Sequence, residues 1–191
     1  MTHDQSPETR ELLRRSAAGD EAAFRDLVER HEGRVYRLAL QLLGDPVAAE
    51  EAAQETFVRL YRSLDGLRGD ARLSTWLHRV TVNLCRDEQR RLKRAERLTD
   101  LDTAAPKLVV LGSQTDDLER EEMRQRIRAA LERLPEQQKE AIVLRYLSEL
   151  SYAEISEATG ASPNTVASRV YRGLRQLGAL LGADRGEEEV S

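Results

Sequence analysis

The chain has 191 residues, room for one ordinary domain or two small ones, and its 34% charged and 4% aromatic residues favour a helical protein with modest cores. Thirty Lys and Arg against 34 Asp and Glu leave a formal net charge of −4, which excludes a protein that coats nucleic acid by bulk electrostatics; any DNA contact must come from local basic patches offset by acidic surface elsewhere. One cysteine, Cys85, and three scattered histidines, His3, His31 and His78, allow neither a disulfide framework nor a spaced zinc cluster, and with no apolar run near the length of a membrane span and no leader the chain reads as cytoplasmic.

Residues 1–19 are polar and read as disordered. Asp20 can cap a helix whose stripe is Phe24, Leu27, Val28, His31, Val35, Leu38 and Leu42, ending at Gly44, with His31 a satisfied, semi-buried histidine. Asp45 caps a second helix with Pro46 at its first position and Phe57, Leu60, Tyr61 and Leu64 inward. Its early surface carries Glu50, Glu51, Gln54 and Glu55. Carboxylates there suit the positive end of the helix dipole, and they serve either a basic docking partner or plain solvation.

A loop over residues 67–74 leads to a third helix, in which Trp76, Leu77, Val80 and Leu84 are spaced for packing. Trp76 could stack on an unpaired base or belong to the core. Arg79, Arg86, Arg90, Lys93, Arg94 and Arg97 recur at helical spacing along one side, the geometry for following a phosphate backbone, with Asp87, Glu88 and Glu96 interrupting the charge. Periodicity then lapses through about residue 115, with Pro106, Gly112 and several aspartates. This is a linker with one apolar patch, residues 108–111, which rests on a partner or makes a local contact.

Helix resumes at Asp116 with a stripe of Met123, Ile127, Ala130, Leu131 and Leu134, and Leu134-Pro135 ends it and opens the next helix, over residues 135–150. Residues 151–171, SYAEISEATGASPNTVASRVY, then read as two short helices around a tight turn. Ser151 and Glu154 form a capping box, Ser162 before Pro163 is an N-cap, Gly160 tolerates positive φ, and Ser156 is small enough for helices to cross. Val166, Val170, Leu174, Leu177 and Leu181 make the buried stripe of the second helix. Asn164, Thr165, Ser168, Arg169, Arg172 and Arg175 fall on its other side, and no acid occurs over residues 160–182. Such a face suits a phosphate-lined groove, or is simply the solvated side of an amphipathic helix. The acidic end, residues 183–191, reads as mobile.

Together the two halves resemble the extracytoplasmic-function group of sigma factors, small two-domain specificity subunits of bacterial RNA polymerase in the sigma-70 family. Residues 20–94 resemble the family's first domain, with DPVAAEEAAQETFVRLYRSL matching its polymerase-docking helix and LSTWLHRVTVNLCRDEQRR its promoter-melting helix; residues 124–181 match its last domain nearly end to end. The resemblance implies an all-α protein of two small domains joined by a flexible linker. Residues 20–97 would form a region 2-like domain, 98–120 the linker, and 121–182 a four-helix, region 4-like domain with a helix-turn-helix.

It further implies that Glu50, Glu51, Gln54 and Glu55 dock on the clamp helices of core RNA polymerase, braced by Phe57. Arg79, Asn83, Arg86, Arg90, Lys93 and Arg94 would meet promoter DNA near the minus-ten element, where the loop over 67–74 traps a base turned out of the stack. Ser162, Asn164, Thr165, Ser168, Arg169 and Arg172 would meet the minus-thirty-five element. The linker would thread toward the RNA exit path, and a cognate anti-sigma protein is an expected partner. Asn164 and Ala167 stand where the family commonly has glycine and lysine, so base preference at the upstream element is not carried over; Ser156 stands where alanine is usual, a change small enough to leave packing intact. No carboxylate pair, nucleophile with base, or phosphate-cradling loop is present in the sequence, so no catalytic residue, metal or cofactor is expected. The alternative function is a stand-alone helix-turn-helix regulator that binds operator DNA without polymerase, which leaves the features over residues 45–97 unexplained.

Overall fold

The computed structural model describes residues 7–66, 73–98 and 118–188. Among them the protein is all-α, with α1 (Pro7–Ala17), α2 (Glu21–Leu43), α3 (Pro46–Ser63), α4 (Leu73–Leu98), α5 (Leu118–Glu132), α6 (Glu136–Ile142), α7 (Tyr152–Thr159) and α8 (Pro163–Glu188). The chain divides into two compact units, one built on α1 to α4 and the other on α5 and the helices after it.

In the first unit local chemistry sets the helix starts. The Asp20 carboxylate accepts from the Ala23 N–H at 3.0 Å, and the Asp45 carboxylate from the Ala48 N–H at 3.0 Å, each satisfying a donor that the helix itself leaves unpaired. α2 ends at Gly44 in left-handed conformation, and Gln89 of α4 donates to the Leu42 carbonyl at 3.0 Å. Leu27, Val35, Phe57, Leu60, Leu73 and Leu77 form the core, with Trp76 half-buried against it. His31 is buried on the α2 stripe. Thr56 and Thr81, both fully buried, face each other with their hydroxyl oxygens 3.3 Å apart. Each donates to the carbonyl four residues back, Ala52 and Leu77, at 2.8 Å, so α3 and α4 approach closely without an unsatisfied proton.

Three expectations for this unit are corrected. Residues 7–17 are not disordered: α1 buries Thr9, Leu12 and Ser16 at helical spacing, Glu8 reaches Arg30 of α2 at 3.0 Å, and Arg15 pairs with Asp20 at 2.6 Å. Its inward side holds only Leu12 and the half-buried Leu13 as large apolar residues, too few for periodicity to register. Tyr61 is not inward but 58% exposed, lying edge-on against Phe24 with ring centroids 5.1 Å apart. The helix of Trp76, expected from Ser74, takes in Leu73 of the loop as well, because Leu73 is a core residue; the rest of that loop, residues 67–72, lies outside the described residues, as do residues 1–6, the stretch 99–117 with its patch at 108–111, and residues 189–191.

In the second unit α5 is described from Leu118, the expected start at Asp116 lying outside the described residues, and Leu131, Leu134 and Ile142 pack with half-buried Ile127, Leu177 and Leu180. Lys139, buried in the last turn of α6, reaches Glu132 of α5 at 2.6 Å. α6 continues as a π-helical turn, Val143–Leu147, so the helix expected to run to residue 150 stops short. Glu149 takes a φ of 56° in the turn that follows, while Arg145 donates to the Leu150 carbonyl at 3.1 Å and lies over the rings of Tyr146 and Tyr152. Both halves of the Ser151–Glu154 capping box are formed, and α7 ends at Gly160 with φ 71°, a conformation a side chain would strain. Ser156, expected only to be small, also donates to the Ala161 carbonyl at 2.6 Å.

The stripe of α8 is also corrected. Val166 and Val170 are buried, but Leu174 is 39% exposed, and the inward line continues through buried Gly173 and half-buried Leu177 and Leu180. α8 meets α6 at Gly173, where an added Cβ would fall 2.7 Å from Ile142 Cδ1. The mobile end expected over 183–191 is corrected in part, since α8 stays helical to Glu188.

Candidate functional site

Three surfaces carry the residues singled out by sequence, each on one helix and within one unit. On α3, Glu50, Glu51 and Gln54 are exposed and Glu55 half-buried. Gln54 donates to Glu50 at 3.3 Å, and Glu55 pairs with Arg59 at 2.9 Å, so Glu50 and Glu51 carry more of the outward negative field than Glu55 does. The patch borders an open groove of about 1140 Å³ between α2 and α3, whose apolar lining includes Phe24, Val28, Phe57, Val58 and Tyr61. Sequence reasoning placed the acids and missed this floor. The surplus apolar residue Val58, 41% exposed, was the available signal.

On α4, Arg79, Asn83, Arg90, Lys93 and Arg94 are exposed and Arg86 half-buried. At about 100° per residue the six fall within an arc of roughly 100°, so one continuous helix presents them as a single strip. Two of the interrupting acids, Asp87 and Glu88, are taken up locally. Asp87 pairs with Arg90 at 3.2 Å and Glu88 with Arg91 at 2.6 Å, and the Arg91 hydrogen bonds hold the Glu88 carboxyl below the usual carboxylate range. Trp76, packed against the core, fits the packing alternative.

On α8, Ser162 Oγ accepts from the Thr165 N–H at 3.2 Å and lies 2.8 Å from its hydroxyl, which starts the helix directly after the turn. Asn164, Thr165 and Arg172 are exposed, Ser168 and Arg169 half-buried, and all five line a groove of about 680 Å³ against the first turn of α6. Gln137 of that turn was not singled out by sequence, yet Arg169 Nη2 donates to its Oε1 at 2.8 Å. The five α8 residues flank one side of the buried line through Gly173, and that is why α6 forms the groove's other wall. Among the described residues no group of three or more His, Cys, Asp or Glu side chains could hold a metal ion, and no helix is long and apolar enough to cross a membrane.

The family model for sigma-70 region 2 matches residues 27–95, and that for sigma-70 region 4 matches residues 124–177. The chain is 32% identical over 167 residues to the ECF RNA polymerase sigma factor SigW of Bacillus subtilis, covering 83% of this chain and 89% of that protein. It is 35% identical over 179 residues to the ECF RNA polymerase sigma factor SigE of Mycolicibacterium smegmatis, covering 92% and 69%. The structure of CnrH in complex with the cytosolic domain of CnrY is similar with a TM-score of 0.68 at 29% identity, covering 93% of this chain and 99% of that one. With α3 and most of α4 inside the first matched region and α6, α7 and the first half of α8 inside the second, the chain belongs to the extracytoplasmic-function group of the sigma-70 family of RNA polymerase sigma factors.

Proposed function

We propose that this sigma factor, which is not an enzyme, divides its work among the three surfaces. The acidic edge of α3, with the apolar groove beside it, docks on core RNA polymerase. The basic strip of α4 engages promoter DNA near the minus-ten element, where strand opening begins. α7, the turn at Gly160 and α8 act as a helix-turn-helix that sets Ser162, Asn164, Thr165, Ser168, Arg169 and Arg172 against the minus-thirty-five element. The observation that carries this reading is the segregation of charge. The exposed acids of α3 have no counterpart on the reading face of α8, and Asp87 and Glu88 of α4 are paired with neighbouring arginines.

The same apolar groove suits a cognate anti-sigma protein that would compete with polymerase in the cytoplasm. CnrH, bound in its structure to the cytosolic domain of CnrY, supports a protein partner of this kind. Run-off transcription with purified bacterial core polymerase tests the division. Wild-type chain yields new discrete transcripts, and Glu51→Lys with Glu55→Lys weakens polymerase binding at least about tenfold, since like charges brought together at an interface cost several kcal/mol. Unchanged affinity of the folded double variant removes the docking assignment. Failure of the wild-type chain to bind polymerase at all would favour a stand-alone regulator.

A further inference from the structure

We infer that Gln137 is a positioning residue for promoter selectivity: it holds the Arg169 guanidinium in place before DNA arrives. The inference rests on the reading of α8 as the minus-thirty-five reader and adds to it a residue from a different helix. Gln137 lies on the first turn of α6, directly after Pro135 and Glu136, and its Oε1 accepts from Arg169 Nη2 at 2.8 Å across the groove that Asn164, Thr165, Ser168 and Arg172 also line.

Both ends of this contact are anchored by packing. Gly173 stands one turn beyond Arg169 on α8, and its missing side chain lets Ile142 and Gln138 of α6 approach to distances a Cβ would occupy. The two helices are therefore held at one spacing, and Gln137 presents its acceptor from a fixed place. An arginine has five N–H donors in a planar fork, so surrendering one to Gln137 orients the plane while others remain to meet a guanine edge. An unrestrained arginine must give up rotamer freedom on binding, and a restrained one has already done so. Gln137 is neutral, so it orients the guanidinium without cancelling the charge that attracts phosphate. A carboxylate in its place would oppose DNA.

The test uses the full chain with core polymerase on templates randomised across the upstream element, with sequencing of those transcribed. Arg169→Ala is expected to flatten the preference at the base pair it reads. Gln137→Ala flattens the same position by about two- to tenfold, the range that ordering one side chain supplies, and the double variant is no flatter than Arg169→Ala alone. Gln137→Glu keeps an acceptor at the same reach and retains the preference while total output falls. Gln137 is exposed, so thermal melting of all variants should match the parent. A preference unchanged by Gln137→Ala, or one altered at a different position, overturns the positioning role while leaving the α8 reading intact. No effect of Arg169→Ala on any position overturns both.

Discussion

Replacing Gly173 by alanine sets two effects of similar size against each other. Alanine is favoured over glycine inside a helix by roughly 1 kcal/mol, so by propensity alone the variant should be more stable. The new methyl would lie 2.7 Å from Ile142 Cδ1, 3.3 Å from Ile142 Cγ1 and 3.2 Å from Gln138 Cβ, inside the roughly 3.5–4.0 Å at which carbon atoms attract. Ile142 is 5% exposed and packed with Leu131 and Leu134, which leaves Cδ1 little room to turn away, and the Gln138 Cβ moves only with the backbone of α6. Overpacking of this kind costs about 1–3 kcal/mol, so the net expectation is a loss of about 1 kcal/mol.

Urea unfolding followed in two ways measures it. Helical circular dichroism samples both units, whereas fluorescence of Trp76, the chain's single tryptophan, samples the first unit alone. Gly173→Ala should shift the dichroism transition and leave the fluorescence transition in place. Ile142→Val removes Cδ1 and by itself costs about 0.5–1.5 kcal/mol. Combined with Gly173→Ala it should cost less than the sum of the two, because the closest clash is gone. A Gly173→Ala protein as stable as the parent, or more so, would refute the argument, since the helices would then have room for a methyl group.

Leu12, 7% exposed, is the main apolar anchor of α1; Leu12→Ala should cost about 2 kcal/mol, the low end for a buried leucine because α1 lies at the edge of its unit, and a Trp76 unfolding transition moved by less than about 0.5 kcal/mol would show that α1 adds no stability. The Asp20 carboxyl is held below its ordinary value of 3.8, first by the Ala23 N–H and then by Arg15. A depressed folded pKa means that its contribution is fully present above pH 3.8 and is lost as pH falls through the folded value. The stability gap between the parent and Asp20→Asn, which keeps a capping oxygen but no charge, should therefore narrow between pH 7 and acid; a gap of constant size across that range would rule out the charged cap.

Much of the candidate site was legible because it is written on single helices. The acids of α3, the basic strip of α4 and the acid-free face of α8 need only a count of 3.6 residues per turn. What escaped was whatever a second helix contributes. The apolar floor beside Glu50 is shared between α2 and α3, and Gln137 meets Arg169 across 32 residues of chain. Neither leaves a periodic trace, since a polar glutamine on an exposed first turn looks the same whether it faces water or an arginine.

Helix starts and stops were likewise determined by sequence alone, because a cap is closed within three or four residues. Asp20, Asp45, Ser151 with Glu154, Gly160 and Ser162 all act as their local pattern requires. Which side of a helix is buried was decided by its neighbours. Tyr61 and Leu174 obey the spacing of their stripes and still face outward, and Gly173, with no side chain to count as apolar, lies at the contact of α6 and α8. α1 forms although only Leu12 and Leu13 are large and apolar among its inward residues, with Thr9 and Ser16 beside them, because α2 offers it a surface to cover. Capping is a short-range hydrogen bond that the chain can specify residue by residue, whereas burial is a property of two surfaces at once and exists only after distant segments have met.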